Sequence, residues 1–377
     1  MDDQRHGGVL PGGHARTLAT TAEGHSTSIS RMPTAPTPDL WPDAWREARL
    51  HVVTGKGGTG KTTVAAAMAT ALAESGRRVL LAEVEQRQAL APVLGCSPLD
   101  DHERLVHVTP AGGELHALAV DARASLMEYL RVHYHLGPAG TVLDQVGAVD
   151  LATSIAPGLG DVLVMGKLYE ATRRTPRHQR RRGTPESYDV VVVDAPPTGR
   201  VVRFLEANAE VADLARVGPI KAQADAVTAV IHSDQTVVHL VTVLEEMPVT
   251  ETVEAITELR AAGLRTGLLV VNQVRDDGLG EDDLDAFHAA VDGDVDLTAI
   301  AEELRAAQVP DPDETARRLL EHARGHAERL LAEGEQQEIL DALELPTVLL
   351  PTLEGGAGPR TLPRLAAALT SQVGALV

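Results

Sequence analysis

A doubly wound α/β fold, with a mostly parallel sheet covered by helices on both faces, is the class that three observations predict. First, an apolar run rich in β-branched residues, a glycine-rich loop and a helical run follow one another over residues 50–75. Second, β-type and helical runs alternate through the rest of the chain, as they do when crossover helices join parallel strands. Third, the β-type runs are apolar almost throughout, not at every second position, so both of their faces are expected to be buried.

The first strand reads "LHVVT" (Leu50–Thr54), and the loop after it reads "GKGGTGKTT" (Gly55–Thr63). Gly55, Gly60, Lys61 and Thr62 satisfy G-x-x-x-x-G-K-[ST], a phosphate-binding P-loop. Glycines at Gly55, Gly57, Gly58 and Gly60, with Thr59 among them, let backbone N–H groups converge on phosphate oxygens. Lys61 then reaches the terminal phosphates, and the Thr62 hydroxyl ligates Mg²⁺. In the following "TTVAAAMATALAES", Val64, Met68, Ala71 and Leu72 share one helical face. The positive end of that helix's dipole adds its own attraction for phosphate.

Further strands are expected at "RRVLLAEVE" (Arg77–Glu85), "LHALAVD" (Leu115–Asp121), "YDVVVVDAP" (Tyr188–Pro196), "TVVHLVTV" (Thr236–Val243), "RTGLLVVNQV" (Arg265–Val274) and "PTVLLP" (Pro346–Pro351). "PVTETVEAITELRAAG" supplies a crossover helix with Thr250 as its cap and Gly263 as its stop. Ligands of such sheets collect at the carboxyl ends of the strands. Gly55–Thr63, Glu83–Arg87, Asp194–Arg200 and Asn272–Val274 all fall there.

Residues 1–39 are rich in Gly, His, Thr, Ser and Pro and predict a disordered amino-terminal arm. Residues 40–377 form the P-loop domain, with Trp41 and Trp45 at i, i+4 pinning a short helix near its start. Helical insertions at about 122–174 and 276–342 make a subdomain over the nucleotide edge. In the first, Leu126, Leu130 and Tyr134 form one stripe and Val162, Met165, Leu168 and Tyr169 another. The arginine-rich "RRTPRHQRRRG" (Arg173–Gly183) has no apolar periodicity and reads as an exposed loop.

A formal net charge of −20 argues against a nucleic-acid partner. The single cysteine, Cys96, rules out a disulfide framework and any C-x-x-C zinc or redox pair. No run approaches 18 consecutive apolar residues and no apolar signal-peptide core opens the chain, so a cytoplasmic protein is expected, meeting membranes only indirectly.

The strand ending in Asp194 offers the carboxylate that P-loop enzymes place near Mg²⁺ and its waters. Its continuation, "DAPPTGRVVRFL", resembles the D-x-A-P-T-G-x-x-x-R-x-L segment of the arsenite-pump and tail-anchored-protein-targeting ATPase family. These are anion-transporting-ATPase-like proteins with a deviant Walker A loop, in the same class as the nitrogenase iron protein and the partitioning ATPases. "GKGGTGKTT" looks like the family's deviant loop, "RVLLAEVEQRQAL" stands at switch I and "DAPPTGR" at switch II. "PGLGDVLVMGKLYE", "VTVLEEMPVTETVEAITEL" and "GLLVVNQV" are similar to later family segments.

The resemblance implies an ATP hydrolase that uses ATP and Mg²⁺. By it, Lys56 is the signature lysine that reaches across a dimer interface to the partner's nucleotide, a role favoured where water is excluded. Thr62 and Asp194 would serve the metal, Thr63 an inner phosphate, and the Gly199 N–H the γ-phosphate. Asn272 would read adenine, and the loop after Pro351 would close over the base. Lys56, Glu85 and Asp194 are thus the candidate catalytic residues.

Switch I departs from the family's S-T-D-P, with Ala82, Glu83, Val84, Glu85 and Gln86 here. Glu85 stands where the family's aspartate positions the attacking water, with one more methylene and no proline after it, so turnover is expected to be slow. The C-x-x-C dimer zinc site of eukaryotic targeting factors is absent, a lone Cys96 cannot hold a metalloid, and a single loop stands where pump subunits carry two. Only Met127 and Met165 fall in the first insertion, so a methionine-rich client site has no counterpart. The reading is a Mg²⁺-dependent ATPase that rearranges as a homodimer, or as a heterodimer with a paralogue, and acts chaperone-like on a partner or hydrophobic protein client. The alternative is a weakly hydrolysing regulatory subunit that pairs with an active paralogue.

Overall fold

The computed structural model describes residues 48–85, 87–122, 124–125, 158–174, 187–214, 219–275, 293 and 295–373. The expected arm at 1–39, Trp41 and Trp45, Gln86, the Leu126, Leu130 and Tyr134 stripe, the arginine-rich run beyond Arg174 and residues 276–292 lie outside the described residues.

In chain order the described elements are β1 (Leu50–Gly55), α1 (Lys61–Glu74), β2 (Arg78–Glu83), α2 (Leu90–Leu94), β3 (Arg104–Val108), β4 (Glu114–Ala119) and α3 (Leu159–Arg173). They continue with β5 (Val190–Asp194), α4 (Thr198–Leu214), α5 (Pro219–Ile231), β6 (Thr236–Thr242), α6 (Glu246–Ala261) and β7 (Thr266–Val274). The last are α7 (Leu297–Ala306), α8 (Pro312–Asp341), β8 (Thr347–Pro351) and α9 (Leu362–Val373). One sheet runs in the order β3-β4-β2-β5-β1-β6-β7-β8. Every described pairing is parallel except that of β3 with β4.

The expected strands sit in this sheet, buried on both faces as their composition requires. Along β2, Val79 and Leu81 face a core shared with α1, α2 and α9, while Leu80 and Ala82 face one shared with α3, α4, α5 and α6. Successive strand side chains point to opposite faces, so one apolar run feeds two cores. β1 lies at the switch point, with β5 on one side and β6 on the other, and its carboxyl end opens onto the crevice between them.

Three expectations are corrected. The helix α1 is buried on more than the face of Val64, Met68, Ala71 and Leu72: every residue from Val64 to Ala73 is buried, because α1 is sandwiched between the sheet and α9 and small alanines let both approach. Thr250 does not cap α6, which starts at Glu246 with Glu245 extended before it; the Thr250 hydroxyl bonds back to the Glu246 carbonyl at 2.9 Å. Pro248 falls within the first helical turn, where its missing N–H has no intrahelical acceptor to lose, and so it marks the inside of the helix and not its edge. The antiparallel edge strand β3, absent from the expected set, is too short and too exposed at Leu105, His107 and Val108 to carry an apolar signature.

Gly263 does stop α6. Its φ is +70°, and the Leu264 N–H reaches back to the Leu259 carbonyl at 2.9 Å, a left-handed helix end that favours glycine. The described parts of both insertions are helical: α3 packs Val164, Met165, Leu168 and Ala171 onto the sheet, and α7 with the 30-residue α8 forms a hairpin beyond β7.

Candidate functional site

The loop between β1 and α1 is held in shape by its own backbone and two neighbours. Thr59 donates to the Lys56 carbonyl through both its N–H (3.3 Å) and its hydroxyl (2.9 Å), closing a turn. Asn272 of β7 is buried and donates from Nδ2 to the Thr59 carbonyl at 2.8 Å. Gly55 and Gly60 are obligatory for contact reasons: a Cβ at Gly55 would run into the Val241 carbonyl, and one at Gly60 (φ +87°) into the Asn272 amide. Gly57 and Gly58 lie exposed, with open space around them. Lys61, Thr62 and Thr63 form the first turn of α1, whose N–H groups lack intrahelical acceptors and face the loop.

Asp194 ends β5 beside the loop, in register with Val53 of β1 and Glu83 of β2. Its Oδ2 accepts the Thr62 hydroxyl at 2.7 Å, while its Oδ1 is buried with no hydrogen-bond partner. Burial pushes its pKa up to about 6, against the pull of the Thr62 hydroxyl and Lys61 and with the push of Glu83 and Glu85. A buried carboxylate with an orphaned oxygen next to a threonine hydroxyl is an all-oxygen donor set, and it fits a hard divalent cation such as Mg²⁺. The residues present thus suit the metal.

Glu85 is a charge hub and not a surface glutamate. Its side chain is 12% exposed, and its Oε2 lies 3.6 Å from Lys61 Nζ and 3.2 Å from Arg87 Nη2. Arg200 of α4 approaches its Oε1 at 3.7 Å. Glu83, buried at the end of β2, accepts from the Ala89 and Leu90 N–H groups at 3.2 Å each, which fixes the start of α2 and with it the frame of the switch I loop.

Lys56 points to α6: its Nζ is 2.7 Å from Glu251 Oε1, and Glu251 Oε2 accepts the Thr198 hydroxyl at 3.3 Å. Gly199 lies exposed in the first turn of α4, where N–H groups lack intrahelical acceptors. Pro351 ends β8 opposite Val274, and the following Thr352 donates its N–H to Val274 O and its hydroxyl to Gln273 O, both at 2.8 Å. The loop after Pro351 is thereby tied to the strand that carries Asn272.

The structure therefore brings Gly55–Thr63, Glu85, Asp194 and Asn272 together at the carboxyl ends of adjacent strands, with Gly199 at the helix end beside them and Pro351 one strand beyond Asn272. Glu251 and Asp161 are neighbours of the site that sequence reasoning passed over, and Thr198 and Arg200 fell in an expected strand-end segment without a role of their own. Arg200 and Thr198 sit inside the quoted switch II motif and Glu251 inside "VTETVEAITEL", but only the fold shows which charges they meet.

Comparison with known proteins gives the family. The family model described as anion-transporting ATPase matches residues 48–223, which hold the loop, both switches and α3. ATPase BagA of Mycobacterium tuberculosis is 44% identical over 332 residues, covering 88% of this chain and 95% of its own. Protein Rv2184c of the same organism is 28% identical over 347 residues, covering 84% of this chain and 74% of its own. Among the described residues no helix is long and apolar enough to cross a membrane. With a family model matched across the loop and a relative 44% identical over 95% of its own length, the chain belongs to the anion-transporting ATPase family.

Proposed function

We propose that this chain binds Mg²⁺-ATP at Gly55–Thr63 and hydrolyses it with an in-line water, and that its nucleotide state drives rearrangement of a two-fold dimer. The observation that carries the reading is the Thr62–Asp194 pair, 2.7 Å apart, with its orphaned buried oxygen beside Lys61. Thr62 and Asp194 would hold the divalent cation, which would supply positive charge against the charge that develops on the phosphates. Lys61, buried and cationic, would give up Glu85 for the terminal phosphates, and Glu85 would accept a hydrogen bond from the attacking water. The first turns of α1 and α4 would supply N–H donors. Lys56 would leave Glu251 for the partner's nucleotide, coupling ATP to dimer closure.

The dimer partner is a second copy or a paralogue, the setting is cytoplasmic, and net charge speaks against nucleic acid. The client reading draws no support from α8: of its exposed apolar residues Leu331 and Ile339 share one side and Leu319 lies about 120° or more away, which is ordinary surface and not a groove. The test is steady-state turnover of purified protein with ATP and Mg²⁺, paired with light-scattering mass in ADP and in a non-hydrolysable ATP analogue. Mg²⁺-dependent turnover lost in Lys61→Ala, with a doubled mass in the analogue, is the expected result. ATP binding without turnover, alone or with cell extract, would replace it with the regulatory-subunit reading.

A further inference from the structure

We infer that Arg200 is the positioning residue for Glu85, and that it ties the water-orienting carboxylate to the insertion helix α3 through Asp161. This rests on the reading of Glu85 given above. Arg200 Nη1 lies 3.7 Å from Glu85 Oε1, and Nη2 lies 3.5 Å from Asp161 Oδ1. A single guanidinium therefore straddles carboxylates from the switch I loop and from the first turn of α3, while its own backbone belongs to the first turn of α4. The three side chains line a cleft of about 400 Å³ whose walls include Pro196 and Phe204.

Among the described residues three cations face Glu85, and they are not equivalent. Lys61 is needed at the phosphates once nucleotide is bound, so its hold on Glu85 is temporary. Arg87 is two residues along the same loop and travels with Glu85, so it cannot fix that side chain relative to the rest of the site. Arg200 comes from a different segment, the first turn of α4, and has a planar fork able to face two carboxylates at once. Glutamate at this place has one more torsion than aspartate and no following proline to stiffen the loop, so an external clamp has more freedom to remove. Asp161 depends on the same clamp: burial raises its pKa, and Arg200 and then Arg203 oppose the rise. A movement of α3, which packs Met165 and Leu168 into the core, would thus reach Glu85 through one side chain.

The test is a double-mutant cycle on the full chain. With Arg200→Gln, kcat should fall by about 10- to 100-fold while the affinity for a fluorescent ATP analogue stays within about threefold. Arg200→Lys, which keeps the charge and loses the fork, should restore part of the rate. In a Glu85→Gln background, Arg200→Gln should cost less than about a further twofold, because a clamp with nothing to hold is silent. Arg200 is 56% exposed, so its replacement is tolerated by the fold, and the retained nucleotide affinity checks this. Full additivity of the two substitutions, or an equal fall in analogue affinity, would overturn the inference and leave the hydrolytic reading standing. Turnover indifferent to Glu85→Gln would remove that reading and the inference with it.

Discussion

Lys56 Nζ and Glu251 Oε1 are 2.7 Å apart, so the lysine that would act on a partner's nucleotide is held within its own chain. The pair is 26% and 33% exposed, a setting in which ion pairs contribute only about 0–1 kcal/mol. Such a contact holds the side chain in place yet yields to a triphosphate. Glu251→Gln should therefore release Lys56 and lower the ATP concentration for half-maximal dimer, by up to about fivefold. Lys56→Ala should leave ADP affinity intact and abolish the ATP-dependent dimer. Light scattering across an ATP titration measures both, and a mass unaffected by either substitution would count against the trans role.

Asp194 makes a second, independent prediction. Burial disfavours its charge, and its Oδ1 has no hydrogen-bond partner, so the carboxylate costs the fold stability that a bound metal-nucleotide would return. Asp194→Asn removes that charge while keeping an oxygen for the Thr62 hydroxyl. Without nucleotide, the melting temperature of the variant should equal or exceed that of wild type. The rise expected of wild type on adding Mg²⁺-ATP should vanish. A variant that melts well below wild type without ligand, by thermal scan at pH 7.5, would show the carboxylate to be structural instead.

Acid should weaken the sheet through a pair of histidines that the site does not use. His239 Nδ1 accepts the Leu268 N–H at 3.0 Å, which leaves its proton on Nε2 to donate to His51 Nδ1, also at 3.0 Å; His51 Nε2 then donates to Ala48 O at 3.3 Å. Both rings are neutral in this chain of bonds. Burial lowers His51 to about 4 and His239 well below 6.5. The unfolded chain takes up protons from pH 6.5 downward while the folded one does not, so stability is fully present above 6.5 and is lost as pH falls towards 4. The slope is up to about 1.4 kcal/mol per pH unit for each ring. Urea unfolding at pH 7.5, 6 and 5 reads it, and replacing both rings with glutamine should flatten the dependence.

How much of this could be read from the sequence depended on distance along the chain. The buried strands announced themselves because each is apolar on both faces, and the loop because its glycines and lysine are contiguous. The edge strand β3 did not, since Leu105 and Val108 are exposed and a five-residue run with His107 has no alternation to detect. Thr250 reads as the cap of α6 in the sequence, but the helix start is set by Glu245 being extended, which is a backbone fact. Glu85 could be located by resemblance, but the cations that meet it among the described residues, Lys61, Arg87 and Arg200, are joined by no local pattern. The same holds for Lys56 and Glu251, which meet only because α6 follows β6, the neighbour of β1.

Asn272 poses the sharpest choice between a family role and an observed one. Its amide donates to the Thr59 carbonyl at 2.8 Å from a buried position, and its bulk is the reason a Cβ at Gly60 is forbidden. An adenine reader should discriminate among bases: a site built to hydrogen-bond one base loses selectivity when its polar group goes. A residue that braces the phosphate loop should matter equally for every nucleotide that uses the loop. Asn272→Ala leaves the Thr59 carbonyl without its buried donor, at a cost of about 1–3 kcal/mol, or roughly 5- to 150-fold in affinity if the loop is preformed only with that bond. We expect both effects, because Asn272 Oδ1 and one Nδ2 proton are not used by Thr59 and the Pro351 loop is tied alongside by Thr352. ATP and ADP affinities should fall together by that factor, and the ATP-over-GTP preference should shrink further in the same variant. Equal losses for ATP and GTP, measured by competition against a fluorescent nucleotide, would assign Asn272 to the loop alone and leave the base to the segment after Pro351.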